Sequence, residues 1–171
     1  MKQIFIFILL VFSTFLKAQS IQEIDSLLLM AYENDQKFRT ESMTLMNKLN
    51  STGANDVPSS LIDSLMLLQE QILAIDKENQ ILVASILKKG LPEGLSSQSY
   101  KTIWLIVDHA GLKFQKKHLP IMEEAAQKEL VSVGDFAVLK DRIRMREGKP
   151  QRYGTQSYTV TVDGQQVIYI W

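Results

Sequence analysis

The chain has no cysteine among its 171 residues. That excludes disulfides, thiol nucleophiles, thiolate metal sites and lipid attachment through sulfur. It has only two histidines, His109 and His118, too few for a His-rich metal cluster, so no metal site is expected. It has no charge of one sign in excess: 19 basic residues stand against 19 acidic ones. This is not the basic footprint of a nucleic-acid binder, nor of a protein held on an anionic membrane surface. Four prolines and eight glycines are too few for a low-complexity or loop-dominated chain. Also missing are the HExxH, GxxxxGK and GxSxG patterns and the dinucleotide fingerprint, so no cofactor is expected.

Apolar residues make up 46% of the chain and charged residues 22%, the composition of a folded globular domain. The longest apolar stretch is at the start. In MKQIFIFILLVFSTFLKAQS, Lys2 gives a short positive region, Ile4 to Phe12 an apolar one, and Ala18-Gln19-Ser20 a small-x-small site. This is the form of a cleavable secretory signal over residues 1–20, with cleavage after Ser20 or Gln19. The run falls well short of the roughly 20 residues that span a bilayer. Residues 21–171 are then expected as one exported domain, periplasmic or secreted, with no transmembrane segment left after cleavage. Without Lys2 and Lys17 the mature part holds 17 basic and 19 acidic side chains.

Helical periodicity dominates that domain. Residues 21–50 carry Ile24, Leu27, Leu28, Ala31, Phe38, Leu45, Met46 and Leu49 at helical spacing. After the polar loop STGANDVPSS, residues 60–75 carry a second stripe, and Asp76 is placed to cap a further helix over 77–89, ended by Gly90. Ser96 to Lys117 reads as one central helix. Tyr100, Trp104, Val107, Gly111 and Phe114 form its stripe, and Gly111 is expected to admit a close neighbour. Pro120 marks a new helix over 119–130, and Ser132 or Gly134 leads into a last one ending near Arg146. Tyr158 to Val162 and Gln165 to Trp171 alternate around Asp163-Gly164, the pattern of a β-hairpin. The expected fold is therefore mainly α, with about five to six helices and a C-terminal hairpin over 157–171.

Three groups of polar residues stand out. His109 has Leu105 and Leu112 on its helical face, so its imidazole needs a partner; Asp108 and Gln115, two turns apart, share a neighbouring face. His118, near a helix end, reads as a surface or C-cap residue. Arg142 lies beside the Leu139–Ile143 stripe and next to Asp141, and a half-buried guanidinium calls for a carboxylate or an anion. Arg144 and Arg146 suit a helix C-terminus. Gln151-Arg152-Tyr153-Gly154-Thr155-Gln156 gathers amides, a phenol and a hydroxyl between helix and strand. One polar cluster formed from these groups satisfies each of them, whether as a ligand site or as structural ties.

The same residues carry a resemblance. DHAGLKFQKKHLP followed by LKDRIRMREGKPQRYGTQ resembles the signature of the bacterial domain-of-unknown-function family 6624. His109, Ala110 and Gln115 match its first block, Asp141 and Arg142 its Asp-Arg pair, and Gln151, Tyr153, Gly154, Thr155 and Gln156 its last block. Asp35-Gln36 with Arg39, Asp76 with Asn79, and Gly90 with Pro92 are similar upstream. Asp108, Gly111 and Leu91 depart from the pattern, and the chain past the last block is short. The resemblance implies a site at these residues and no particular reaction. The leading expectation is an exported domain, monomeric or weakly oligomeric, that binds a small polar or anionic ligand or a protein partner. Gln115, Tyr153, Thr155 and Gln156 would contact the ligand. The alternatives are a hydrolase with His109 as general base, Arg142 as anion stabiliser and Asp141 as orienting group, and a purely structural domain.

Overall fold

Ser20 opens the first helix with a reciprocal cap. Its hydroxyl accepts from the Glu23 N–H at 3.2 Å, and the Glu23 carboxylate accepts from the Ser20 N–H at 3.0 Å. The computed structural model describes residues 20–52, 57–162 and 165–170. Residues 1–19, where the secretory signal is expected, and residues 53–56 lie outside that description. The described residues form five α-helices: α1 (Ile21–Ser51), α2 (Ser59–Ile86), α3 (Ser97–His109), α4 (Leu112–Gln127) and α5 (Val133–Arg146). A single 3-10 turn, Leu87–Lys89, follows α2, and Gly90 ends it at φ 100°, a conformation L side chains rarely adopt. Past α5 the chain runs extended over Ser157–Val162 and Gln165–Ile170. The expected turn, Asp163-Gly164, lies outside the described residues, so the fold class rests on the helices.

α1 and α2 form a long antiparallel pair, and α3 packs against both of them and against α4 and α5. Its central place follows from its sequence. Tyr100, Ile103, Trp104, Ile106 and Val107 are all buried, so the helix is apolar on most of its circumference. Leu28 and Ala31 from α1, Val83 from α2, Met122, Ala125 and Ala126 from α4, and Phe136, Leu139 and Ile143 from α5 close the core around it. Side chains of this size contribute roughly 1.5–3 kcal/mol each on full burial. The Trp104 indole N–H donates to the Asp135 carbonyl at 2.8 Å, and Lys101 lies over its ring.

Several helix boundaries differ from those the sequence suggests. α2 runs unbroken from Ser59 to Ile86, so Asp76 is no cap; its carboxylate instead pairs with Arg39 across the helix pair. The expected central helix stops at His109. Ala110 and Gly111 are both extended, and α4 begins at Leu112. Gly111 is no point of close approach either, since a Cβ there would meet nothing within 4 Å. Pro120 lies inside α4 and does not start a helix, and His118 is buried within the same helix, not at the surface. Ser132 caps α5 as expected, accepting from the Asp135 N–H at 3.0 Å.

Candidate functional site

Asp35 comes from the middle of α1 and is only 3% exposed. A buried carboxylate is tolerated only with donors around it. Here the Gln36 amide donates at 2.8 Å, the Arg39 Nε at 3.1 Å, and the His109 Nδ1 lies 3.4 Å away. Burial pushes the Asp35 carboxyl up. The hydrogen bond from His109 and the charge of Arg39 outweigh it, and the group sits below its ordinary value. Beside the Asp35 carboxylate, Nδ1 is the ring nitrogen placed to donate, and Nε2 is the one that this contact does not engage. The His109 side chain keeps about a fifth of its surface exposed, and among the described residues Nε2 makes no hydrogen bond. Arg39 continues to Asp76, tying α1 to α2 beside the imidazole.

The break after His109 explains the residues next to it. Ending α3 there orphans its last carbonyls, and side chains from two other helices satisfy them. The Gln115 amide donates to the Asp108 carbonyl at 2.7 Å. Arg142 Nη1 donates to the same carbonyl at 3.3 Å and to the Asp108 carboxylate at 2.5 Å. Arg146 Nη1 reaches the Ala110 carbonyl at 2.7 Å. Two cations thus lie at the negative end of the helix. Burial raises the Asp108 carboxyl above its ordinary value, with Arg142, His109 and Arg146 only partly offsetting it. Among the described residues the buried polar side-chain atoms without a partner are Asn79 Nδ2 on α2, Gln98 Nε2 and Asp108 Oδ1 on α3, and Gln115 Oε1 and His118 Nε2 on α4. Burial pushes the His118 imidazole down.

Asp141 organises the third group. Its side chain is fully buried on α5, yet the chain turns back over it. The N–H of Arg152 donates to it at 2.7 Å, that of Tyr153 at 3.0 Å, that of Thr155 at 3.1 Å, and the Thr155 hydroxyl also at 3.1 Å. Gly154 adopts φ 71°, which bends the loop enough for donors on both of its sides to converge. The Gln151 side-chain amide braces the loop base: its Nε2 donates to the Gln156 carbonyl at 2.5 Å and its Oε1 accepts from the Gln156 N–H at 2.7 Å. Burial would raise the Asp141 carboxyl, but these donors hold it below its ordinary value.

The expected single cluster is thus resolved into separate networks. His109 joins Asp35. Gln115 and Arg142 join Asp108, though Gln115 comes from α4 and not from the helix face it was expected to share. Asp141, Thr155, Gln151 and Gln156 hold the loop together, and the Tyr153 side chain stands half exposed. No hydrogen bond among the described residues connects Tyr153 with His109. Asp35 and Arg39 are the contributors that periodicity did not single out. Asp35 and Arg39 had a signal only in the upstream blocks of the resemblance, and Asp108 is one of its departures. Among the described residues no three acidic or histidine side chains gather closely enough to hold a metal ion, and no helix is long and apolar enough to cross a membrane.

A mainly helical domain with a buried Asp–His pair at its helix junction defines the class. The chain belongs to the family of unknown function DUF6624, whose model matches residues 22–168. No curated protein and no solved structure matches it.

Proposed function

We propose that this is an exported domain that binds a small polar ligand at the exposed edge of His109, beside the corner formed by Asp35, Arg39 and Asp76. One observation carries the reading: a buried carboxylate fixes Nδ1 of an imidazole that is still partly exposed, leaving Nε2 for a ligand. The unpartnered Oδ1 of Asp108, the residue next to His109, supports it, since buried polar groups in folded proteins are nearly always satisfied by protein, water or ligand. Export rests on the signal-like residues 1–20. Closure of residues 157–171 into a hairpin is part of the same proposal. Tyr153 and its loop form a second contact surface, and a ligand that reaches it as well would depend on Tyr153 too.

The test is a thermal-shift screen with small anions, sugars and peptides. A ligand is expected to raise the melting temperature of the native chain, and His109→Asn is expected to abolish that rise while the protein remains folded. A ligand shift that survives His109→Asn unchanged overturns the site.

The Asp35–His109 pair also favours a second reading, a hydrolase. A carboxylate on Nδ1 makes Nε2 a general base, and Arg142 lies near the same helix end as an anion stabiliser. Turnover of ester, amide or phosphoester substrates, lost in His109→Asn, would establish it. Ligand binding without turnover would dismiss it.

A further inference from the structure

The start of α4 and the end of α5 make one end of the protein cationic. Residues 108–118 and 141–152 carry eight lysines and arginines against three acids, whereas the rest of residues 21–171 carries nine against sixteen. The two segments lie together: Arg142 bonds Asp108, Arg146 bonds the Ala110 carbonyl, and Lys116 pairs with Glu147. The three acids are already engaged there, Asp108 by Arg142, Asp141 by the 152–155 loop, and Glu147 by Lys116 and Lys149. A chain with equal numbers of basic and acidic residues therefore has a local positive field, which draws anions to this end.

A cleft of about 530 Å³ opens at the same place. The described residues that line it are Gln80 of α2 and Gly111, Leu112, Lys113, Phe114 and Lys117 at the start of α4. Small-molecule sites run roughly 300–1,000 Å³, so the volume suits one. The wall is mostly apolar. Leu112 and Phe114 are half-buried, and the His118 ring backs that of Phe114 at 4.4 Å between centroids. Lys113 and Lys117 are exposed and one turn apart. Lys116, Lys128, Lys140 and Lys149 pair with carboxylates, but among the described residues Lys113 and Lys117 pair with none. α4 also begins here without a side-chain cap, so its positive end adds to their charge. On α2, Asp76 is one turn from Gln80 and is held by Arg39. Lys77 is also one turn away, and Glu78 lies about 160° around the helix from Gln80.

We propose that this cleft binds an amphipathic anion, a carboxylate or phosphate on an alkyl or aryl group. The charge lies between Lys113 and Lys117, and the apolar part covers Leu112 and Phe114. A bare anion leaves the apolar wall in water, and an apolar cation is repelled by both lysines, so the cleft selects for the two properties in one molecule. The site goes beyond the His109 reading and does not rest on it.

Isothermal titration of octanoate and of phenyl phosphate into the native chain is expected to show binding of one or both that weakens as salt is raised. Octylamine and inorganic phosphate are expected to bind at least tenfold more weakly. Lys113→Gln combined with Lys117→Gln is expected to weaken binding at least tenfold with unchanged circular dichroism. Lys128→Gln, just past the end of α4, is expected to leave it unchanged. A ligand whose thermal shift survives His109→Asn but is lost in the Lys113→Gln, Lys117→Gln variant occupies this cleft and not the His109 edge, so the two readings fail separately. The proposal is overturned if neither octanoate nor phenyl phosphate binds at about 10 mM. Binding that survives the double variant, that Lys128→Gln weakens equally, or that octylamine matches also overturns it.

Discussion

At the scale of single residues, the polar groups divide by what they hold. Asp141 receives four donors in the 152–155 loop, and an amide in its place offers one acceptor oxygen instead of two. Asp141→Asn is expected to cost about 2–3 kcal/mol, read from urea unfolding, because buried N–H groups lose a charged acceptor. Arg142→Ala leaves the Asp108 carboxylate buried without its partner, at about 3 kcal/mol. Arg142 is therefore a structural tie as well as a candidate ligand group, and binding data on that variant need a folding control. The pH dependence has a definite sign. Asp35 and Asp141 sit below their ordinary values in the fold, so the stability they contribute is present above about pH 4 and is lost as the pH falls. Asp108, raised by burial, acts in the opposite direction, since its folded form takes up a proton more readily. Melting temperature is expected to fall on acidification through that range, and less steeply in Asp141→Asn than in the native chain.

At the scale of elements, the sequence was legible where burial and periodicity agree. Ile103 to Val107 are apolar on all sides, and α3 is the central helix. Trp104→Ala is expected to cost about 3–5 kcal/mol in unfolding free energy; little change would mean that the helix bears no such load. The break at Ala110-Gly111 was not legible, because the apolar stripe continues across it to Phe114. What decides the break is the set of side chains that satisfy the freed carbonyls, and Gln115, Arg142 and Arg146 come from two other helices. Asp76 misleads for a related reason. An Asp before Lys-Glu has the form of a cap, and only Arg39, 37 residues earlier, shows its use inside a continuous helix. His118 misleads because Leu119-Pro120 has the form of a helix end, whereas α4 continues through Pro120 and the ring is buried with Phe114 against it. The pairing of Asp35 with His109 spans 74 positions and leaves no local trace in the pattern.

At the scale of the whole molecule, the account joins an expected export signal, a helical body and a polar corner at the helix junction. The cap at Ser20 bears on processing, because cleavage after Ser20 would remove both of its hydrogen bonds. Mass spectrometry of the extracytoplasmic fraction is expected to find an N-terminus near Gln19 to Ile21, at Ser20 where cleavage follows Gln19 and the cap is kept. An intact Met1 in the membrane fraction would contradict export. The most direct measurement of the central claim is isothermal titration of a ligand from the thermal-shift screen into the native chain, Asp35→Asn and His109→Asn. The account predicts binding by the native chain, binding weakened at least tenfold in Asp35→Asn, and none in His109→Asn, with all three folded. Equal affinity in the three proteins would contradict it.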